Sequence, residues 1–355
     1  MSLQKHIDYL IVGKGITGTF LSYYLLQEGK KIIVIDDAKP YTASKIASGV
    51  INPVTGRRIV KTWMIDEVMP FAVEAYQQLE QMLQVPLIKQ CNVLDFHATP
   101  QMQLAFTERL KDEKYLRLPN HPEQWQNYFN YPFDIGEINP CWLIDFQTLL
   151  TNWRNYLLGK NVLIEKHFSI NELAYQNKTS ITYQNITASK IIFCDGVAGV
   201  DNIFFNKLPY SKNKGEVLIA AIDSLPTTNI YKQGITIVPW KENLFWIGSS
   251  YEWDFTNENP TTQFKQKVLQ QLQYWLKQPF EIREHWAAVR PANLERRPFV
   301  GLHPLHNNIG ILNGMGTKGC SLAPFFAHQL TEYLVANKAI HPLANVQRFA
   351  KILSK

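Results

Sequence analysis

A chain of 355 residues, 46% hydrophobic and 19% charged, can bury the core of one large or two ordinary domains, which excludes extended disorder. No apolar run approaches the roughly 18 residues of a membrane span, and the first apolar run reads as a buried strand rather than a leader, so a cytoplasmic protein with no membrane partner is expected. The formal net charge of +6 favours anionic partners without selecting one, and Cys91, Cys141, Cys194 and Cys320 show neither C-x-x-C nor metal-ligand spacing, so reduced thiols and no metal site are expected.

The chain is organised around residues 8–36, DYLIVGKGITGTFLSYYLLQEGKKIIVID. Ile7 and Tyr9 to Val12 form the near-continuous apolar run of a strand buried on both faces of a parallel sheet. Gly13, Gly15 and Gly18 follow at once, spaced for a tight turn, a close approach to a pyrophosphate and close helix–strand packing. The helix runs to about Gln27, is ended by Gly29, and turns Ile16, Phe20, Leu21, Tyr24 and Leu25 toward the sheet. A second buried strand, 32–35, ends at Asp36, eighteen positions after Gly18 and close to the roughly 20 expected for the acid that binds an adenosine ribose.

Beyond a turn-rich loop, helical periodicity predicts helices over 65–83, 99–112 and 145–158, the last with Asp145 as its cap, and a strand over 87–96. Residues 120–140, dense in Asn, Pro and aromatics, read as irregular. Four short strands are expected between Val162 and Cys194, then antiparallel strands at 215–222, 234–239 and 244–250, a helix at 261–276, and strands at 282–289 and 309–312 before a last helix at 321–336. This order implies discontinuous domains: a nucleotide-binding domain from 1–86, 142–208 and 287–355, and an antiparallel α+β substrate domain from 87–141 and 209–286.

Three further stretches carry chemistry. Residues 43–53, ASKIASGVINP, place small and hydroxyl side chains after the ribose acid, where hydroxyls and amides suit phosphate and ribityl oxygens. Residues 313–324, NGMGTKGCSLAP, form a glycine-rich loop entering a helix, whose start favours the negative charge of a reduced flavin. In residues 286–301, WAAVRPANLERRPFVG, Arg290 ends an apolar strand before a proline, which fits a guanidinium pairing bidentately with a carboxylate; a structural salt bridge is the competing reading.

These stretches, with Trp142-Leu143, Lys214-Gly215-Glu216-Val217 and Ile247-Gly248-Ser249-Ser250-Tyr251, resemble the FAD-dependent D-amino-acid oxidase superfamily, which includes glycine oxidase and sarcosine oxidase. Within it they look closest to the FAD-dependent C-terminal domain of the bifunctional enzyme that makes 5-methylaminomethyl-2-thiouridine in tRNA. The resemblance implies a Rossmann-like FAD-binding domain with an inserted antiparallel-sheet substrate domain. It implies non-covalent FAD held by Gly13, Gly15, Ile16, Thr17, Gly18, Asp36 and Asp37, by Ser44, Ala47, Ser48 and Gly49, and by Gly196, Gly314, Gly316, Thr317, Lys318, Gly319 and Cys320.

The implied activity is oxidation of the C–N bond of a small amino acid or secondary amine of glycine or sarcosine type. Hydride passes to flavin N5 and leaves an imine that water hydrolyses, with Arg290 on the substrate carboxylate and Tyr251 as a second contact. Threonines at 236 and 317 depart from the tyrosine and arginine of glycine-oxidase-type enzymes. The alternatives are removal of the carboxymethyl group from carboxymethylaminomethyl-uridine in tRNA and a non-catalytic flavin-binding module. Arg57, Arg58, Lys61, Arg296 and Arg297 are the phosphate contacts a tRNA would use. An NAD-dependent dehydrogenase is disfavoured, because no second mononucleotide half follows Asp36.

Overall fold

The strand Lys5–Val12 lies between Ile32–Ile35 and Ile186–Phe193 and runs parallel to both. The computed structural model describes residues 5–56, 58–177 and 180–355. Strand register sets Val12 opposite both Ile35 and Phe193, and Phe193 opposite Ile311 of the parallel strand Ile309–Asn313. Four carboxyl ends therefore stand side by side, the place where open parallel sheets bind ligands. Leu163–Ile164 extends the sheet beyond Ile32–Ile35, Ser180–Tyr183 and Leu173–Asn177 extend it on the other side, and Phe299–Leu302 pairs antiparallel to Ile309–Asn313.

These strands belong to the first of two units, residues 1–45, 146–213 and 289–355. Leu10, Ile33, Ile191, Phe193, Phe205 and Ile311 are among its core residues, and burying each such side chain contributes about 1.5–3 kcal/mol. The helix Ile16–Gln27 is buried from Ile16 through Leu25, including Thr17, Thr19, Ser22 and Tyr23. The sequence predicts one buried stripe, but the helix Gly319–Ala336 packs alongside. Trp153 of the helix Phe146–Gly159 covers another side, meeting Tyr23 edge-on and donating from Nε1 to Ser22 Oγ at 2.9 Å.

The second unit comprises residues 46–145 and 214–288. Its main sheet runs in the order Phe280–Arg290, Asn213–Ile222, Leu244–Gly248, Ile235–Pro239, Ile230–Gln233, Val93–Phe96, Ile135–Ile138, Leu116–Arg117. Pairing is antiparallel from Asn213–Ile222 to Ile230–Gln233, parallel once between Ile230–Gln233 and Val93–Phe96, and antiparallel again beyond. The helix Thr262–Trp275, capped by the Thr261 hydroxyl, packs Val268, Leu272 and Trp275 into a core with Leu218, Ile237, Phe245 and Ile247. The architecture is thus a Rossmann-like α/β FAD domain with an inserted, mainly antiparallel substrate domain.

Two expected elements differ. The single strand read over 87–96 is two, Ile88–Gln90 and Val93–Phe96, in different sheets. Between them Cys91 N–H bonds the Cys141 carbonyl and Asn92 Nδ2 reaches Glu137 at 2.7 Å, which bends the chain out of one sheet into the other. The stretch read as irregular, 120–140, holds the strand Ile135–Ile138, whose four residues pair antiparallel with Val93–Phe96. Among the described residues, no helix is long and apolar enough to cross a membrane, and no cluster of three His, Cys, Asp or Glu could hold a metal.

Candidate functional site

In the first unit, the nucleotide loop is shaped by backbone contacts. Gly13 has φ +94°, and its N–H bonds the Ile35 carbonyl at 2.8 Å. A Cβ at Gly13 would lie 2.5 Å from the Cys194 carbonyl oxygen, and one at Gly18 would stand on the Gly13 carbonyl. Strand, turn and helix therefore close onto one another only with glycine at both positions. Gly15, the N-cap of this helix, has no side chain with which to cap it, and of the first-turn amides Ile16 N–H donates to Ser44 Oγ at 3.0 Å. Such a start concentrates amide N–H groups and the positive helix end, which suits a pyrophosphate.

Asp36 stands at the end of the second strand, its side chain 18% exposed. Its Oδ2 accepts from Lys14 N–H at 2.9 Å, and its Oδ1 accepts from Ala38 N–H at 3.0 Å and from Arg154 Nη1 at 3.0 Å. Arg154 also pairs with Glu165. Lys14, within the fingerprint itself, buries its ammonium against the Leu150 carbonyl at 2.8 Å, and burial pulls its pKa down to about 8. Asp37 pairs with His167 at 3.2 Å and Lys39 at 3.5 Å; burial opposes its ionisation, but these partners outweigh it and lower its pKa. The Arg154 partnership has no sequence signature, since 118 residues separate it from Asp36; Lys14 is visible only as the middle residue of Gly13-Lys14-Gly15.

The loop after Phe193 holds a group that pattern reading passed over. Asp195 is half-buried, accepting from Asn313 Nδ2 at 2.9 Å on Oδ1 and from Asn202 Nδ2 at 3.1 Å on Oδ2, and desolvation raises its pKa to about 6. Asn313 Nδ2 also donates to the Gly196 carbonyl at 2.8 Å, and its Oδ1 accepts from Gly314 N–H at 2.7 Å. Gly196, Gly314 and Gly316 all have positive φ. One carboxylate and one amide thus lock the 195–200 loop to the 313–316 loop. Past Thr317 and Lys318 the helix Gly319–Ala336 begins, and a Cβ at Gly319 would touch Ile16 Cγ2 at 3.4 Å, so the two helix starts lie together. Cys320 sits in that first turn with its thiol buried and pushed up to about 12.

Arg290 belongs to the same neighbourhood. It ends the strand Phe280–Arg290 and donates from Nη1 to Asn213 Oδ1 at 2.6 Å. The residues that follow are stitched to the glycine loop: Gly316 N–H bonds the Pro291 carbonyl at 3.3 Å, and Asn293 Nδ2 donates to the Gly314 carbonyl at 2.8 Å. Residues 13–18, 194–199, 290–293 and 313–319 therefore form one contiguous set of loops within this unit.

Ala47, Ser48, Gly49 and Tyr251 lie in the second unit. Gly49 has φ +79°, accepts from Ile144 N–H at 2.9 Å, and leaves no space for a Cβ beside the Ile144 backbone. Trp246 Nε1 donates to the Ile46 carbonyl at 2.8 Å, fixing the start of this segment. Tyr251 is 60% exposed. Beside it Lys214 and Glu216, both buried, pair at 3.3 Å; Glu216 also accepts from Thr261 N–H at 2.6 Å and meets His285 Nε2 at 2.9 Å. Thr236 pairs with Lys232 and Gly248 on neighbouring strands. Of the phosphate-contact candidates, Arg57 lies outside the described residues.

The sequence profile of the family "FAD dependent oxidoreductase" matches residues 8–333. The chain is 21% identical to glycine oxidase of Bacillus subtilis (strain 168) over 363 residues, 96% of this chain and 95% of that one. Its fold is similar to iminodiacetate oxidase from Chelativorans sp. BNC1, with TM-score 0.76, 19% identity, and 95% and 97% of the two chains covered. It is also similar to L-proline dehydrogenase from P. horikoshii, with TM-score 0.78, 14% identity, and 98% and 99% covered. A profile match across nearly the whole chain, on a fold whose glycine turns and strand-end acid suit a dinucleotide, makes this chain an FAD-dependent oxidoreductase and a member of that family.

Proposed function

We propose that this protein oxidises the C–N bond of a small amino acid or secondary amine carrying a carboxylate, using non-covalently held FAD. The observation that carries the reading is Arg290: its strand ends where Pro291 and Asn293 hydrogen-bond the glycine loop Gly314–Gly316, so a fixed guanidinium adjoins the candidate flavin cradle. The relatives named glycine oxidase and iminodiacetate oxidase act, by their names, on amines bearing carboxylates, which supports the same class.

The cradle residues fit the cofactor. Gly13 and Gly18 keep the backbone clear, the helix start at Gly15 to Thr17 would take the pyrophosphate, and Asp36 would take the ribose hydroxyl. Gly196 and Gly314 to Cys320 would line the remainder, with Ser44 at the Ile16 amide. FAD, when bound, supplies the two-electron acceptor for hydride leaving the carbon beside the nitrogen. The protein's own part is orientation: Arg290 would take the carboxylate as a paired, charge-assisted contact and so fix which C–H faces the cofactor. No acid–base dyad is needed, since a neutral amine's lone pair drives imine formation.

The test is anaerobic mixing of the oxidised, FAD-loaded protein with glycine, sarcosine, D-amino acids and carboxymethylaminomethyl-modified tRNA, following loss of the flavin absorbance. Bleaching by a small carboxylated amine is expected. Bleaching by the tRNA alone would replace this substrate with the nucleoside, and bleaching by none would overturn the catalytic reading. Arg290→Met should lower kcat/KM about 10–100-fold with FAD content unchanged, the loss of a charged hydrogen bond. Equal loss of FAD would make Arg290 structural.

A further inference from the structure

We infer that Asn213 is the positioning residue that aims the Arg290 guanidinium, and that, being neutral, it does so without setting a charge of its own against a substrate carboxylate. The inference rests on the reading of Arg290 as the carboxylate anchor. An arginine side chain has many rotamers to lose on binding, so a useful anchor must be held before the ligand arrives. Asn213 Oδ1 holds it, accepting from Nη1 at 2.6 Å.

Asn213 is itself fixed. It is 1% exposed, and the residues before it run alongside those after Arg290. Ser211 N–H bonds the Ala292 carbonyl at 2.8 Å, Leu294 N–H bonds the Pro209 carbonyl at 3.1 Å, and Tyr210 bridges to Asn293. Asn293 in turn bonds the Gly314 carbonyl. Aim is therefore passed from the glycine loop through a short ladder to one buried amide, and from that amide to the guanidinium. An amide oxygen sets direction without neutralising charge. An aspartate in the same place would keep the acceptor and its shape but form an ion pair, and a substrate carboxylate would have to compete with it.

That contrast supplies the test. FAD-loaded wild type, Asn213→Ala, Asn213→Asp and Arg290→Met are titrated with glycolate, a carboxylate of glycine's size without the amine, following the perturbation of the flavin absorbance. FAD content and thermal midpoint are measured alongside. Asn213→Ala should weaken glycolate binding about 10–100-fold, and Asn213→Asp should weaken it at least as much while its thermal midpoint is unchanged or raised. A merely structural bond predicts the opposite for Asn213→Asp, which retains the acceptor and would bind glycolate like wild type; that result overturns the inference. Should the alanine variant fail to fold, the aspartate variant alone decides. Arg290→Met separates the two levels. If it binds glycolate normally, the anchor reading itself fails; if it loses binding while both Asn213 variants keep it, only the role of Asn213 falls.

Discussion

At Gly13 two separate demands meet, and substituting alanine measures both. The residue has φ +94°, where an L side chain costs about 1–2 kcal/mol. Its Cβ would also lie 2.5 Å from the Cys194 carbonyl oxygen and 2.9 Å from the carbonyl carbon, about 1 Å inside ordinary contact at roughly 3.5 Å. Those atoms cannot retreat easily, because Cys194 N–H is bonded to the Val12 carbonyl at 2.8 Å at the end of the central strand pair. Overpacking of this kind costs about 1–3 kcal/mol, so Gly13→Ala should lose about 2–5 kcal/mol in all. Gly29→Ala is the control. It has φ +66° but nothing within 4 Å of the new Cβ, so only the conformational part, about 1–2 kcal/mol, applies. Urea denaturation of both apoproteins gives the two losses, and fluorescence titration with FAD gives affinity. Gly29→Ala should bind FAD like wild type and Gly13→Ala more than tenfold more weakly. Equal stability losses, or unchanged FAD affinity in Gly13→Ala, would refute the close-approach argument.

Two further predictions concern buried charge. Asp195 has a folded pKa of about 6 against an ordinary 3.8, because burial disfavours the carboxylate. The folded protein therefore holds this proton better than the unfolded chain does. The resulting stabilisation is present below pH 3.8 and is lost as pH rises through 6, a loss of about 3 kcal/mol. The stability of wild type minus that of Asp195→Asn, from urea titrations, should fall by most of that amount between pH 4 and 7; parallel curves would show that the carboxyl does not titrate there. In the inserted domain, burial disfavours ionised Glu216, but bonds from Thr261 and Lys214 outweigh it and lower its pKa. Glu216→Gln removes one partner of a buried pair in which Lys214 is 2% exposed, and should destabilise by about 3–5 kcal/mol. A loss below about 1 kcal/mol would mean that Glu252, 3.1 Å from Lys214, satisfies the lysine alone.

The first βαβ unit was legible in the sequence because its constraints are local. A buried parallel strand is a continuous apolar run, and glycines are dictated by φ and by contacts a few residues away. The predicted helix to Gln27 and the turn at Gly29 accordingly stand where the structure has them. The helices at 65–83 and 261–276 were legible for the same reason, since a 3.6-residue stripe records which face is covered. Where two faces or two sheets compete, the pattern no longer decides. The helix after Gly15 is buried on nearly every side because another helix, over 300 residues later in the chain, packs against it. Residues 87–96 look like one strand until Cys141 and Glu137 draw the chain at Cys91 and Asn92 out of one sheet and into another.

The candidate site divides in the same way. Glycine spacing and the strand-end acid are short-range signals, and Arg290 stood out as a cation between an apolar run and a proline. The partners that aim these groups were not visible: Arg154 for Asp36, Asn313 for Asp195, and Asn213 for Arg290 lie 118, 118 and 77 residues from the groups they hold. Hydrogen bonds between groups so distant in sequence leave no periodicity and demand no particular spacing. Sequence specified which groups could do the chemistry, while tertiary structure alone determined how each is charged, buried and oriented, because desolvation and hydrogen-bond geometry depend on neighbours that only folding brings together.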